Sequence, residues 1–371
     1  MKNYWIGWML VAVMAAGCEA DDAEGQQIVD RNAIAFDAQM GRMEEMTRGA
    51  HAMETNDALA TEGGFGVFAC YTGLHRFRDS NIQSDFMYNT HVVYDNVNGV
   101  WNYDPMKYWP NGAGQADDAA KHYVSFFAYA PYSNQDPENA AGYCIPSFHL
   151  QSEVTNPWLT YRLHTDPAQQ VDLMYALPLI DRCKGDAPRE VFTFHHALAC
   201  VGDRVTVTMA DELKAIYQGR VTEHADITGI EVQLKSVALT YHLTERARLV
   251  LWTGGEANWQ QLKSGEALTE REIVLKSADD ASPYTLYSYD GAEEDGDDWE
   301  DIGNGIFYIP IHREGHLQTV QVNITYDVVT EYTSGTTRDS KETTGIVTLS
   351  DFADAYQAGR HLYLNMKLVN E

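Results

Sequence analysis

Residues capable of chemistry are plentiful in this 371-residue chain, but their spacing restricts what they can do. His195 and His196 suggest a metal. Adjacent residues on a strand point to opposite faces, so the two cannot ligate one ion, and a structural role is expected. The loop from Asp290 to Asp301 has enough carboxylates for calcium. Its spacing departs from the Asp-x-Asp/Asn-x-Asp/Asn-Gly pattern, so a solvated loop is the favoured reading. The aromatic run Trp101-Asn102-Tyr103-Asp104-Pro105-Met106-Lys107-Tyr108-Trp109-Pro110 could stack on a sugar. A strand and turn plugging the end of a sandwich accounts for the same residues and is preferred. Cys70, Cys144, Cys183 and Cys200 form no CxxC pair and lie too far apart for a zinc site. In an exported protein they could form two disulfides with three possible connectivities; Cys70 and Cys200, inside apolar runs, could equally be buried thiols. No GxSxG, HExxH, P-loop or dinucleotide fingerprint occurs. Carboxylates paired only in space leave no trace in a sequence. Nothing here argues positively for an enzyme, and no cofactor or metal is expected.

Cys18 carries a different chemistry. It follows the run Val11-Ala12-Val13-Met14-Ala15-Ala16-Gly17 and precedes Glu19-Ala20-Asp21-Asp22. An apolar stretch that ends in small residues before a cysteine is the layout of a bacterial lipoprotein signal. The stretch from Tyr4 to Ala16 is too short for a helix to cross a hydrocarbon core of about 30 Å, so it reads as a cleaved segment. Residues 1–17 are then the signal and Cys18 the acylated N-terminus, tethering the chain to a membrane outside the cytoplasm. The alternative is an ordinary secretory signal cut at nearly the same place. The net charge of −28 opposes binding to nucleic acid or to an anionic membrane face. With 44% hydrophobic and 11% aromatic residues, the chain has the material for folded cores.

The elements that must position these residues are mostly strands. Residues 19–28 form an acidic tether, and Ala33-Ile34-Ala35-Phe36 is a plausible first strand. A connector rich in Gly, Met, Glu and Arg follows to about Thr61. Phe65–Tyr71 and Val124–Ala130 read as strands, and Asn98-Gly99 marks a hairpin between Val92–Tyr94 and Val100–Tyr103. Further strands are expected over Val171–Leu177, Val191–Leu198, Val205–Met209, Ile230–Leu243, Arg248–Trp252, Ile273–Leu275, Gly305–Ile311, Val320–Tyr326, Gly345–Leu349 and His361–Leu368. Only Asp117–His122, Asp211–Ile216 and Asp351–Tyr356 suggest helices, all brief. Many strands separated by Gly, Asn and Asp loops indicate an all-β chain of β-sandwiches. A boundary near Cys183–Pro188 divides it into halves of sandwich size, 49–184 and 185–371.

Several segments together resemble the fimbrillin-like (FimA/Mfa-like) lipoproteins of Bacteroidales. They are the lipoprotein signal, Phe86-Met87-Tyr88-Asn89 with its hairpin, Trp101–Pro110, and Val124–Pro131. Asp172–Ala176, Phe192–Ala199 and the closing Ala358-Gly359-Arg360-His361-Leu362-Tyr363 complete the ordered set. The resemblance implies two tandem transthyretin-like β-sandwich domains that build or decorate type V pili. It implies an N-terminal strand that complements its own sandwich until a protease cuts the loop behind it. A strand from another subunit then fills the groove, an instance of β-augmentation. In this sequence Ala33–Phe36 would be that strand, residues 18–48 the propeptide, and Arg48-Gly49 the cut, with Arg42 as a second candidate. The alternative is that Arg48 is an exposed loop arginine. His361–Leu368 would be the donor, or an internal strand of its own domain.

The resulting expectation is an adhesive pilus subunit without enzymatic activity. Its partners would be other fimbrial subunits, surface ligands and a membrane reached through the lipid. A surface glycan-binding lipoprotein that never polymerises is the first alternative, and a secreted hydrolase on a β-scaffold is the second.

Overall fold

The computed structural model describes residues 32–40, 56–79, 85–110, 121–135, 148–151, 154–164, 166–244, 246–251, 258–261, 268–278, 283–310, 318–349 and 361–369. In chain order the first half comprises β1 (Phe36–Met40), α1 (Asn56–Thr61), β2 (Phe65–Gly73), β3 (Met87–Asp95), β4 (Val100–Asn102) and β5 (Tyr123–Ala130). It continues with β6 (Phe148–Gln151), β7 (Val154–Arg162), β8 (Met174–Ala176), β9 (Leu179–Arg182) and β10 (Glu190–His196). The second half has β11 (Ala199–Met209), α2 (Asp211–Glu223), β12 (Ile227–Leu243), β13 (Arg246–Val250), β14 (Asn258–Gln261) and β15 (Thr269–Lys276). It ends with β16 (Tyr284–Tyr289), β17 (Glu294–Asp295), β18 (Trp299–Ile302), β19 (Phe307–Ile309), β20 (Thr319–Tyr332), β21 (Gly335–Thr348) and β22 (His361–Leu368). The chain is all-β, as its strand pattern requires.

The first sheet runs β1-β10-β8-β5-β2-β3-β4, with β9 also against β5. Its central strands are buried on both faces, which is why Phe126–Ala130 reads as an unbroken apolar run. Phe65, Val67, Phe126, Ala128, Phe192 and Phe194 belong to an inner core to which Trp101 and Tyr103 also contribute. Phe68, Phe127 and Tyr129 belong to a second core with Phe148, Leu159 and Tyr161 of the four-stranded sheet β14-β13-β7-β6. Phe68 stacks on Phe148 with ring centroids 5.1 Å apart. Trp259 of β14 donates its indole N–H to the Ala197 carbonyl at 2.6 Å, so the second half of the chain clasps the first.

The strands β9 and β10, on either side of 184 and 185, both belong to the first sheet, and a further set of strands starts with β11 at Ala199. There β11 is bordered by β18 and β19 on one side and by β22 on the other, while β12 and β20 lead a six-stranded sheet with β15, β16, β17 and β21. Both contribute to one core, with Val201, Val205 and Leu364 on one side and Val232, Leu239 and Ile324 on the other. The helix α2 starts where expected but extends further, burying Leu213, Tyr217 and Val221. Those positions lie four apart, one face of a helix.

The hairpin β20–β21 holds a buried charge. Asp327 accepts hydrogen bonds from the Ser340 hydroxyl at 2.6 Å and from Arg338 at 2.5 Å. Burial pushes its carboxyl up, but the Ser340 and Arg338 contacts outweigh that and hold it below the usual carboxylate range. A depressed folded-state pKa contributes stability above the unfolded value and loses it as pH falls through the folded one. Asp327→Asn is therefore expected to lower the melting temperature at pH 7, by an amount corresponding to about 1–3 kcal/mol. Thermal melts should show that deficit shrinking as the pH drops below about 4.

Candidate functional site: the groove closed by the first strand

The segment 32–40 closes the inner core from one edge. Ile34 and Phe36 are fully buried and Ala38 nearly so, while Asp37 faces outward. This period-two pattern places the strand at Phe36–Met40, later than the expected Ala33–Phe36. Ala33 instead forms an isolated antiparallel bridge with Tyr108. The shift has a simple cause: Asp37 and Gln39 are polar but sit on the wet face, so alternation continues past Phe36.

Two different neighbours hold the segment. Its first part is antiparallel to 107–109: Ile34 N–H donates to the Lys107 carbonyl and Trp109 N–H to the Asn32 carbonyl, both at 2.9 Å. Its second part, β1, runs parallel to β10, with Phe36 opposite Glu190, Ala38 opposite Phe192 and Met40 opposite Phe194. The segment thus ties one edge of the first sheet to the chain that follows β4 near the other edge. Without it, that sheet has a gap.

The floor of the gap is aromatic. The Phe36 ring lies 5.4 Å from Tyr103, 5.5 Å from Phe126 in an edge-on contact, and 5.4 Å from Phe192. Phe65 packs on Phe192, Phe194 and Trp101 at 5.8, 5.3 and 5.0 Å. Polar groups clasp the backbone. The Tyr103 hydroxyl donates to the Ile34 carbonyl at 2.8 Å, and burial pushes that phenol up to about 12. Arg189 donates to the Phe36 carbonyl at 3.2 Å, Glu190 N–H to the Ala35 carbonyl at 2.8 Å, and Lys184 reaches the Asn32 side chain. Glu190 is buried and paired with Arg182 at 2.7 Å; burial raises its carboxyl, and Arg182 only partly offsets this. Gln39 donates to the Thr193 hydroxyl at 2.9 Å on the outer face.

The other sequence candidates fall elsewhere. Trp101 and Tyr103 are buried in this core and plug it, whereas Trp109 is half-buried and Tyr108 exposed. His195 and His196 occupy opposite faces of β10, with His196 paired to buried Asp172 at 2.7 Å. The stretch from Asp290 to Asp301 is not a single solvated loop, since β17 and the start of β18 fall within it and Asp301 is buried; Asp290 accepts from the backbone of Ala292 and Glu293, Glu294 lies 3.4 Å from Lys214, and Glu300 pairs with Arg204. Cys70, Cys183 and Cys200 are buried free thiols, which for Cys70 and Cys200 is the second of the two readings left open by the sequence. Burial pushes the Cys70 thiol up to about 12, which makes it unreactive. Cys144, the lipid position Cys18, and Arg42, Arg48 and Gly49 lie outside the described residues. Among the described residues no helix is long and apolar enough to cross a membrane. Nothing in the sequence marks Phe126, Phe192 and Phe194 as the lining of a groove or Lys184 and Arg189 as its clasp; the alternation Phe192-x-Phe194 is the one local hint.

The fold defines a protein class: an all-β chain of packed sandwiches whose first sheet is closed by its own N-terminal strand. A solved fimbrial protein from Bacteroides vulgatus shares this fold, with a TM-score of 0.55 at 18% identity, over 91% of this chain and 95% of that one. A Bacteroides thetaiotaomicron structure provisionally assigned to cell adhesion covers 92% of this chain and 96% of its own at 9% identity, but its TM-score of 0.31 is too low to bear on the fold. No family model and no curated protein matches the sequence.

Proposed function

We propose that this chain is a structural, adhesive subunit of a surface fimbrium, non-enzymatic and assembled by exchange of strands between subunits. It is delivered as a lipoprotein acylated at Cys18. Cleavage at Arg48-Gly49 frees the segment before it, and a strand of another subunit replaces β1 in the groove. The observation that carries this reading is the seating of β1: a short edge strand, joined to the sheet by parallel pairing, with its apolar side chains in an aromatic groove. Parallel pairing is slightly weaker per residue than antiparallel, which suits a strand that must leave. The fold shared with a fimbrial protein supports the same reading.

Mass spectrometry of the protein recovered from surface fibres tests it. Molecules beginning at Gly49 within high-mass assemblies are expected. An intact acylated Cys18 in every molecule would contradict assembly by strand exchange. Of the aromatic run that suggested glycan binding, Trp101 and Tyr103 are inside the core, which weakens that alternative, and Tyr108 is left exposed.

A further inference from the structure

We infer that the groove under β1 selects a strand whose inward residues run apolar, large aromatic, small, apolar, and that it turns away the C-terminal strand of a second copy of this chain. The partner in this groove therefore offers a strand of that apolar, aromatic, small, apolar pattern and not the C-terminal strand of a second copy. This inference rests on the strand-exchange reading proposed above.

The resident segment shows what the groove is shaped for. Its inward residues are Ile34, Phe36, Ala38 and Met40, the last packed at the core's margin. The second position is a cavity for a ring, walled by Tyr103, Phe126 and Phe192. The third position is narrow. Ala38 pairs with Phe192, whose ring is held between Phe36 at 5.4 Å, Phe65 at 5.8 Å and Phe194 at 6.2 Å. A longer side chain at 38 must displace a ring that three others hold in place, and interiors packed at this density resist such insertion.

The C-terminal strand β22 has the same direction and length of apolar face but a different shape. It runs parallel to β11 and directs Leu362, Leu364, Met366 and Leu368 inward. None of the four is aromatic and none is small, so no register of this face matches the groove. The opposite face, His361, Tyr363, Asn365 and Lys367, is too polar to enter. Met366 instead has a counterpart at home: it lies over Gly345 of β21, in space that a Cβ at 345 would occupy. Further contacts fix β22 to its own unit, including the pair His361–Asp203 at 3.0 Å and the hydrogen bond from Thr206 to Asn365 at 2.7 Å. Each terminal strand is cut to its own groove.

Peptide exchange on the folded full chain tests this. A site-specific protease sequence is placed at Arg48, the folded protein is nicked there, and labelled peptides are offered in excess. Entry is read by native mass spectrometry. The peptide of residues 32–40 is expected to replace the resident strand. The same peptide carrying Ala38→Met, and the peptide of residues 361–369, should compete at least about tenfold less well. The 361–369 peptide carrying Leu364→Phe and Met366→Ala should regain entry. If the unmodified 361–369 peptide enters as well as 32–40, the selectivity is overturned while strand exchange stands. If no peptide enters, the native one included, the strand-exchange reading falls and this inference with it.

Discussion

Phe36→Ala is expected to destabilise the first unit by about 3–5 kcal/mol, the range for emptying a buried aromatic site. The ring is fully buried and touches Tyr103, Phe126 and Phe192, which come from three separate parts of the sheet. Removing it leaves a cavity that the surrounding rings cannot fill without leaving their own contacts, so relaxation recovers little. Because Phe36 is on an edge strand, the loss should appear first as detachment of β1 and only then as global unfolding. Hydrogen exchange should report this as early loss of protection over 190–194, the partners of β1, with β12 and β20 unaffected. Asp37→Ala, on the outer face of the same strand, should shift stability by less than about 0.5 kcal/mol. Equal losses at the two positions would mean that the strand is not seated as described.

Gly64→Ala is expected to be of comparable severity for a different reason. Gly64 has a φ of +77°, where a side chain is strained, and a Cβ there would collide with the Val92 carbonyl of the neighbouring strand. That carbonyl belongs to the β2–β3 pairing, where Phe65 lies opposite Val92, so the backbone has no cheap way to yield. Gly64 also accepts the Tyr132 N–H at 3.1 Å, so a shift there would disturb the end of β5 as well. The expected result is a loss of more than about 3 kcal/mol, or failure to accumulate folded protein. Gly63→Ala serves as the control: it too has a positive φ, but a Cβ would meet nothing within 4 Å, so only the smaller backbone cost should appear.

Much of the fold was legible because its strands have one wet and one dry face, or two dry ones. Val320–Tyr326 alternates and so declares its strand, as does the long run of β12. The strand β21 was caught only at its C-terminal end. Residues 335–344 are almost wholly exposed at a sheet edge, so no apolar period marks them, and only pairing with β20 makes them a strand. No expected strand covers β6, β7, β9, β14, β16, β17 or β18, although β16 carries an aromatic and apolar pattern over Tyr284–Tyr289.

The candidate site was half legible. Its strand shows in the residues, if slightly displaced, because Ile34 and Phe36 stand out locally. Its walls do not show. The pairing of β1 with β10 joins segments some 150 residues apart in the chain, and parallel pairing between remote segments leaves no turn signal to read. The clasp by Lys184 and Arg189 is invisible for the same reason, since each is an ordinary loop cation until the fold brings 32–36 beside it.

The central claim is that β1 must leave its groove before the protein can assemble, and a reversible lock tests it most directly. Gln39 and Thr193 are register partners whose side chains already meet at 2.9 Å on the outer face. In the double variant Gln39→Cys, Thr193→Cys, a disulfide would hold β1 in place even after the connector is cut. The oxidised protein is expected to stay out of fibres and the reduced protein to enter them. Incorporation of the oxidised form, with the disulfide intact and at the level of the reduced form, would contradict the account.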